Sequence, residues 1–407
     1  MSKELIRIDA SGKIPSRPKS TRRDPESRIA LALEAGASQA LPPVSELGFE
    51  TALAAMADNS KAALAADLDC YVDWCLEQRR TAFPADPETI ARYLQARDRA
   101  GAKPATLARR VASIARAHAM IGIAEKPAAA PIVRDTLKAA RRRRGAQQQQ
   151  AAPLRLGDES DGETSTFTIS ALLAVCAPDL PGLRDAAMLS LGFDAGLRVS
   201  ELVAVEVNHI EPHRDGSGTL LIPSSKTDQD GKGAYAWLSA ETMRRLGRWL
   251  EESGITDGPV FRRIHVRRLK AREAVSPQAY EAIPGNTGNW QQRLQGAPAA
   301  AGETIYTLGT NALTRQAVAP IYRKLAEEAW ARGLVEAKAG EVDALIRQLS
   351  SHSLRVGLTQ DLFAAREDGV AISQTLRWKS PATALRYGAK LKVRSNSAAR
   401  VLGKLRS

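Results

Sequence analysis

A polar, low-complexity stretch at residues 146–163 divides the chain into two parts, and each part must fold around a core of its own. The stretch contains four consecutive glutamines, Gln147 to Gln150, and then the acidic run GDESDGE. This composition offers too little apolar surface to order itself, so we predict a linker. The 407 residues are enough for two domains of ordinary size.

The net charge of the whole chain is +13, which favours a polyanionic partner. Nucleic acid is the commonest such partner, although charge alone also fits a ribosome-associated or membrane-surface protein. No run approaches 18 consecutive apolar residues, so we expect no membrane span. The N-terminus lacks a hydrophobic signal core, and we expect a cytoplasmic protein. Cysteine occurs only at Cys70, Cys75 and Cys176, a number and spacing that indicate neither a disulfide framework nor a zinc site.

Residues 58–145, ahead of the linker, predict a helical DNA-binding domain. Apolar residues recur there at helical spacing, and Pro87, Pro104 and Pro131 stand where a helix tolerates proline, in its first turn. Lysine and arginine outnumber aspartate and glutamate by 17 to 10, a net charge of +7. Much of the positive charge comes late in the domain, on a face suited to DNA phosphates. The predicted DNA-contacting residues are Arg109, Arg110, Arg116, Arg141, Arg142, Arg143 and Arg144.

Residues 1–57 are rich in serine, proline and alanine with scattered charge. We predict a flexible N-terminal arm with one short helix near residues 26–35. Two interpretations of its basic residues remain open, contact with DNA phosphates or simple solvation. These residues are Lys13, Arg17, Lys19, Arg22 and Arg23.

Residues 164–394 predict a second domain, mainly helical, with a small β-hairpin. The hairpin strands are residues 219–223 and 234–238, and the loop between them carries Lys226. Residues 262–304 begin with an arginine cluster and continue irregularly, so we predict a surface insertion, and we hypothesise that its arginines contact DNA. Helices are predicted at residues 168–176, 183–195, 314–333, 341–348 and 352–367.

Cutting a phosphodiester bond with a protein nucleophile makes four chemical demands. A hydroxyl must attack phosphorus, its proton must be removed, the charge on the non-bridging oxygens must be stabilised, and the leaving oxygen must be protonated. The second domain contains residue types for every task, although each residue taken alone is ordinary. The candidates, in chain order, are Arg198, Lys226, His352, Arg355, Trp378 and Tyr387.

The spacing of these candidates suits a shared phosphate. His352 and Arg355 are three residues apart, so on a helix they lie on one face. Arg198 follows Gly196, which we expect to end a helix and turn the chain. Arginine suits phosphate because its guanidinium stays charged and donates two parallel hydrogen bonds. Tyr387 comes near the end of a short predicted helix.

The ordered set resembles that of the tyrosine recombinases (phage integrase family), and most closely their Cre-like branch. Residues 196–202, in which Glu201 follows Arg198 by three positions, are similar to the family's first arginine motif, and residues 352–357 are similar to its second. Trp378 stands where many members have histidine and the Cre-like branch has tryptophan.

The resemblance also extends to the first domain, where residues 83–88 and the surrounding helices are similar to the core-binding domain of the Cre-like branch. It covers residues 58–261 and 305–402. It therefore implies a mainly α protein with a small antiparallel sheet, built as a two-domain, C-shaped DNA clamp.

The resemblance implies a site-specific recombinase that cuts and rejoins DNA through a covalent intermediate and a Holliday junction. Tyr387 would attack phosphorus and form a 3′-phosphotyrosyl link. His352 would take part in proton transfer at the tyrosine, and Lys226 would protonate the leaving 5′-oxygen. Because the link conserves the bond energy, the resemblance implies neither a cofactor nor a metal.

The remaining site residues would bind and support the phosphate. The resemblance implies that Arg198 and Arg355 clamp its non-bridging oxygens and that Trp378 donates its indole N–H to it. Glu201 would hold a catalytic side chain from behind. A tyrosine, with an ordinary pKa near ~10, needs such positive charge and a base to react at neutral pH.

The implied partner is double-stranded DNA carrying an inverted-repeat site. The protein would bind one site as a homodimer and join two sites as a homotetramer. Residues 395–407 predict an apolar C-terminal helix, which would either dock on a neighbouring protomer or cap its own chain.

Two other functions use a similar scaffold. A type IB topoisomerase or telomere resolvase shares the pocket, whereas a non-catalytic DNA-binding protein shares only the fold. The separate helical domain, the short hairpin and the C-terminal helix favour recombination over the first, and the intact set of reactive residues argues against the second.

Overall fold

The computed structural model describes residues 24–38, 45–145, 150–156, 167–223, 233–274 and 298–387. The chain separates into two compact units, an N-terminal unit of residues 1–149 and a C-terminal unit of residues 150–407. Helices dominate both, and the strands form small antiparallel sheets, which confirms the predicted fold class. Within the described ranges, none of the helices is both long and apolar enough to cross a membrane.

Six α-helices build the described part of the N-terminal unit, and most of them begin with a proline or a side-chain N-cap. Asp86 accepts a hydrogen bond from the Thr89 amide at 2.8 Å, ahead of Pro87. Proline also starts the helices at Pro104 and Pro131, as predicted. The helices are α1 (Pro25–Gly36), α2 (Glu46–Ala54), α3 (Asp58–Glu77), α4 (Pro87–Arg99), α5 (Pro104–Met120) and α6 (Pro131–Arg144), with a 3₁₀ turn at Pro127–Ala129.

The structure differs from the predicted arm in its second half. Helix α1 confirms the single helix expected near residues 26–35, but its Ile29 and Ala32 are fully buried in the core of the N-terminal unit. Helix α2 was not predicted, and its Leu53 is buried in the same core. Residues 24–38 and 45–54 therefore belong to the N-terminal unit, because their apolar side chains are part of its core. Residues 1–23 and 39–44 lie outside the described residues.

Nine α-helices build the described part of the C-terminal unit. A small buried cluster of Ile372, Leu376 and Ala384 is separate from its large core. The indole of Trp249 is completely buried in the large core and donates to the Val260 carbonyl at 2.9 Å. The helices are α7 (Ile169–Ala174), α8 (Leu180–Asp194), α9 (Val199–Val203), α10 (Ala240–Ser253), α11 (Arg315–Ala331), α12 (Ala339–Gln348), α13 (Ser353–Ala364), α14 (Gly369–Thr375) and α15 (Pro381–Tyr387), with a 3₁₀ turn at Val207–His209.

The predicted hairpin is part of a three-stranded antiparallel sheet. Strands β2 (Gly218–Ile222) and β3 (Ala234–Leu238) match the two predicted runs, and β1 (Ile210–Pro212) adds an unpredicted strand on the other side of β2. The inner face of this sheet carries Leu220 and Leu238, which are both completely buried.

The insertion begins and ends as a β-ribbon, whereas the sequence analysis predicted irregular structure over residues 262–304. Strand β4 (Arg262–Leu269) pairs antiparallel with β5 (Glu303–Ala312), and we call these two strands the ribbon. The alternation of Ile264 and Val266 with polar residues allows this pairing. The ribbon is tied to the C-terminal unit where the Tyr306 hydroxyl donates to Asp179 at 2.8 Å. Residues 275–297 lie outside the described residues.

The middle of the predicted linker, residues 150–156, packs tightly on helix α13. Leu154 is completely buried, and Arg155 forms a 2.6 Å ion pair with Asp361. The approach is so close that a Cβ atom placed on Gly357 would lie 1.7 Å from the Leu154 carbonyl oxygen. Residues 150–156 are thus part of the C-terminal unit, and glycine at 357 is required sterically. Residues 388–407, including the predicted C-terminal helix, lie outside the described residues.

Candidate active site

Arg198 is held at the N-terminus of α9 by an acidic partner in the first turn of that helix. Gly196, with φ +53°, makes the turn between α8 and α9. The Arg198 amide donates to Glu201 Oε2 at 3.0 Å, and its Nη1 donates to Oε1 at 2.7 Å. Burial by itself raises the pKa of Glu201, but the hydrogen bonds and charge of Arg198 outweigh it and lower the pKa. Glu201 is therefore a carboxylate that orients Arg198.

His352 and Tyr387 are in direct contact although 35 positions separate them. His352 Nε2 lies 2.9 Å from the Tyr387 hydroxyl. His352 is the N-cap residue of α13, and its backbone amide donates a hydrogen bond to the Ser350 hydroxyl at 3.1 Å. Tyr387 is the last residue of α15. Burial, and then the charges of Arg355 and Arg198, lower the pKa of His352 to about 4. A neutral imidazole therefore faces the phenol at neutral pH.

Trp378 forms one wall of the site. Its ring stacks on Tyr387 with centroids 5.2 Å apart and planes 8° from parallel. The guanidinium carbon of Arg355 lies 5.1 Å from the centroid of the same indole. Such contacts restrict a tyrosine ring and place a cation next to it.

Arg355 is almost completely buried and is fixed by backbone carbonyls. Its Nη1 donates to the carbonyl of Gly196, and its Nη2 donates to that of Leu376. Burial, followed by the charge of Arg198, lowers the pKa of Arg355 to about 9. The guanidinium remains charged at neutral pH, in a position where a nearby anion would be favourable.

The structure adds a residue that the sequence analysis missed. The Nη2 of Arg377 lies 3.3 Å from Glu201 Oε2 and 3.0 Å from the Ala195 carbonyl. A single carboxylate, Glu201, therefore serves two arginines, Arg198 and Arg377. With Arg355 close by, the described site holds more positive than negative charge, which favours an anionic ligand.

The seven arginines predicted to contact DNA lie in the N-terminal unit, and several are engaged within it. Arg109 lies 2.9 Å from the buried Asp67, and Arg143 and Arg144 lie 2.5 and 2.7 Å from Asp98. These pairs use part of the positive charge to stabilise the unit itself. The half-buried Arg110 lies 3.8 Å from Asp67, and the exposed Arg116 donates to the Ala52 carbonyl at 3.1 Å. Arg141 and Arg142 are exposed.

Lys226 lies outside the described residues, between β2 and β3. The described ranges contain no cluster of three or more His, Cys, Asp or Glu side chains able to hold a metal ion. The arrangement brings together a phenol, a neutral imidazole and guanidinium groups, which are chemically able to serve as a nucleophile, a proton acceptor and an anion-binding pocket.

A sequence profile of the phage integrase family matches residues 164–394. The chain belongs to this family. The match confirms the family expected from the ordered site residues.

Curated members of the phage integrase family resemble the chain over about half of its length. The integrase/recombinase XerD homologue of Selenomonas ruminantium is 33% identical over 217 residues, 51% of this chain and 60% of that protein. Recombinase Cre of Escherichia phage P1 is 23% identical over 221 residues, 53% of this chain and 62% of that protein. The chain thus spans about three fifths of each relative.

A solved structure of the family supports the fold. The XerH site-specific recombinase, bound to a palindromic difH substrate in a post-cleavage complex, superposes with a TM-score of 0.52. The superposition covers 92% of this chain and 94% of the XerH chain, with 13% sequence identity. At this identity the likeness concerns the fold alone.

Proposed function

We propose that the protein is a site-specific DNA recombinase that cleaves one strand through Tyr387. The observation that carries the proposal is the 2.9 Å contact between Tyr387 Oη and His352 Nε2, beside Arg198 and Arg355. Family membership supports it, since integrases and recombinases are among the relatives.

In the proposed reaction the phenolic oxygen of Tyr387 attacks phosphorus and its proton passes to His352. A bond forms between Oη and phosphorus, and the bond from phosphorus to the 5′-oxygen breaks. The leaving oxygen takes a proton from Lys226 and becomes a free 5′-hydroxyl. Attack by another 5′-hydroxyl on the phosphotyrosine rejoins the DNA, so the cycle is balanced without an external energy source.

The pocket arginines stabilise the phosphate in this scheme. Arg198 and Arg355 neutralise the charge that grows on the non-bridging oxygens, the task for which a guanidinium is best suited. Arg355 contributes from a buried position, where electrostatic stabilisation is stronger than in water. Trp378 keeps the Tyr387 ring parallel to its own plane, which limits the directions from which Oη can approach.

The proposed partner is double-stranded DNA with inverted repeats, bound by a homodimer and paired in a homotetramer. Positive charge for this contact is available on the exposed arginines of α5 and α6 and on the ribbon. Arg263 and Arg267 lie on one face of β4, both exposed. A two-stranded ribbon fits the major groove of DNA.

The test is covalent trapping. Wild-type protein and Tyr387→Phe are incubated with a nicked duplex carrying the inverted repeat nearest the gene, and denaturing gels are examined for a protein–DNA adduct. We expect an adduct with wild type only, and peptide mapping should locate it at Tyr387.

Two outcomes would contradict the proposal. Specific binding without an adduct would indicate a DNA-binding protein that does not cleave. Relaxation of supercoiled plasmid without strand exchange would indicate a topoisomerase.

A further inference from the structure

Arg377 has a backbone conformation that is unusual for its residue type. Its φ is +55°, in the left-handed region that disfavours residues with a Cβ atom and that glycine adopts freely. Among the described non-glycine residues, only Arg79, Arg366 and Arg377 have positive φ. Strain of this kind at a reaction centre calls for a functional explanation.

Arg377 directly precedes Trp378, and its side chain extends to the turn that precedes Arg198. Its Nη2 lies 3.0 Å from the Ala195 carbonyl, 3.4 Å from the Gly196 carbonyl and 3.3 Å from Glu201 Oε2. The side chain is only 9% exposed. It therefore belongs to the interior of the site and connects two segments that lie far apart in sequence.

Two of the three acceptors of the Arg377 Nη2 are shared with arginines that we place on the phosphate. The Gly196 carbonyl also accepts from Arg355, and the Glu201 carboxylate also accepts from Arg198 at 2.7 Å. A movement of Arg377 would change the surroundings of both.

We propose that Arg377 is a positioning residue for strand cleavage. Its guanidinium joins the Gly196 carbonyl to the Glu201 carboxylate and thereby fixes the angle at which Arg198 and Arg355 meet the phosphate. This role rests on the proposed cleavage function. It also accounts for the presence of an arginine at a position whose backbone suits glycine.

The test uses a substitution that suits the backbone and removes the guanidinium, Arg377→Gly. The matched control is Arg366→Gly, because Arg366 also has positive φ, +67°, but its side chain is exposed. The probe is a nicked duplex carrying the site that Tyr387→Phe protein enriches from a random-sequence pool. Single-turnover experiments give the maximal rate of adduct formation and the half-saturating protein concentration, and calorimetry gives Tm.

We expect Arg377→Gly to lower the maximal rate by about 10- to 100-fold, the size of effect that small misplacement of catalytic groups produces. Half-saturation should stay close to wild type. Tm should fall only slightly, because Glu201 keeps its pair with Arg198, and Arg366→Gly should match wild type in all three. Arg377→Lys, which keeps a cation and the same backbone, should recover more of the rate than Arg377→Gln.

Three results would overturn the role. The role would be refuted if Arg377→Gly formed the adduct at the wild-type rate. It would also be refuted if the loss of rate came together with large losses of affinity and Tm, since that would indicate general unfolding of the site. In both cases the wild-type adduct would leave the cleavage function standing. Absence of an adduct with wild-type protein would overturn the cleavage function, and this role with it.

Discussion

The imidazole of His352 faces the hydroxyl of Tyr387 across 2.9 Å while the pKa of that imidazole is lowered to about 4. The neutral ring can accept the phenolic proton, whereas an imidazolium could not. Burial is the main cause, and the neighbouring Arg355 and Arg198 add to it. In the proposed reaction, the arginines that stabilise the phosphate therefore also help to keep His352 neutral.

The first prediction concerns acid stability. The folded-state pKa of His352 is about 4 against an ordinary value of 6.5, so as pH falls the unfolded chain binds the proton first. The stability of the C-terminal unit should be unaffected by this group above pH 6.5 and decrease as pH falls toward 4, by on the order of 3 kcal/mol. Urea unfolding at pH 7 and pH 4.5 should show a smaller loss for His352→Gln. Equal losses in the two proteins would refute the assignment.

The second prediction concerns the contact between Gly357 and Leu154. In Gly357→Ala the new Cβ atom would meet a backbone oxygen at 1.7 Å, so residues 150–156 must move off α13. We expect a loss of about 3 kcal/mol. The control is Gly247→Ala in α10, where a Cβ meets nothing within 4 Å; it should gain about 0.5–1 kcal/mol. Calorimetry of both variants would contradict the prediction if their Tm values shifted in the same direction.

The third prediction concerns Glu201. Glu201→Gln keeps the shape but leaves Arg198 and Arg377 without a carboxylate in a buried setting, which should cost about 3 kcal/mol and slow adduct formation. Glu328→Gln provides a matched control, because Glu328 forms an exposed pair with Arg332 at 2.8 Å. That change should cost at most about 0.5 kcal/mol. Similar losses in the two variants would mean that the buried carboxylate has no special role.

The fourth prediction concerns the ribbon. Replacing Arg263 and Arg267 with glutamine should weaken DNA binding and reduce the salt slope of log K by about 1 to 2, because each lost phosphate contact releases one counterion fewer. A second pair, Arg332→Gln with Lys338→Gln, removes the same charge from exposed positions elsewhere in the C-terminal unit. Anisotropy titrations with a long duplex should separate the pairs. Indistinguishable slopes would mean that only net charge matters.

The catalytic candidates could be predicted because the chemistry restricts residue types and their order is recognisable. His352, Arg355, Trp378 and Tyr387 meet in the described structure as a set. Arg377 could not be predicted, because an arginine before a tryptophan gives no sign that its backbone is left-handed or that its side chain turns back to Glu201. Those properties depend on tertiary packing.

The fold errors have a similar origin. Asp24–Pro25 is a helix start visible in the sequence, but whether Ile29 is buried depends on the folded unit, in which α1 packs on α3. The ribbon could have been predicted from the alternation of Ile264 and Val266 with polar residues, but the irregular sequence after the arginine cluster favoured a surface insertion. The local sequence pattern determines where helices and strands form, and long-range contacts determine which compact unit each of them packs into.

The contact between His352 and Tyr387 is made within one polypeptide, so in the proposed reaction each copy supplies its own nucleophile and its own proton acceptor. A copy that lacks either residue could then not obtain it from a neighbouring copy. A mixture of Tyr387→Phe and Arg198→Gln copies should show no complementation, since neither contains an intact pocket. In any complex that requires several strand cleavages, one inactive protomer would therefore act as a dominant inhibitor of the whole complex.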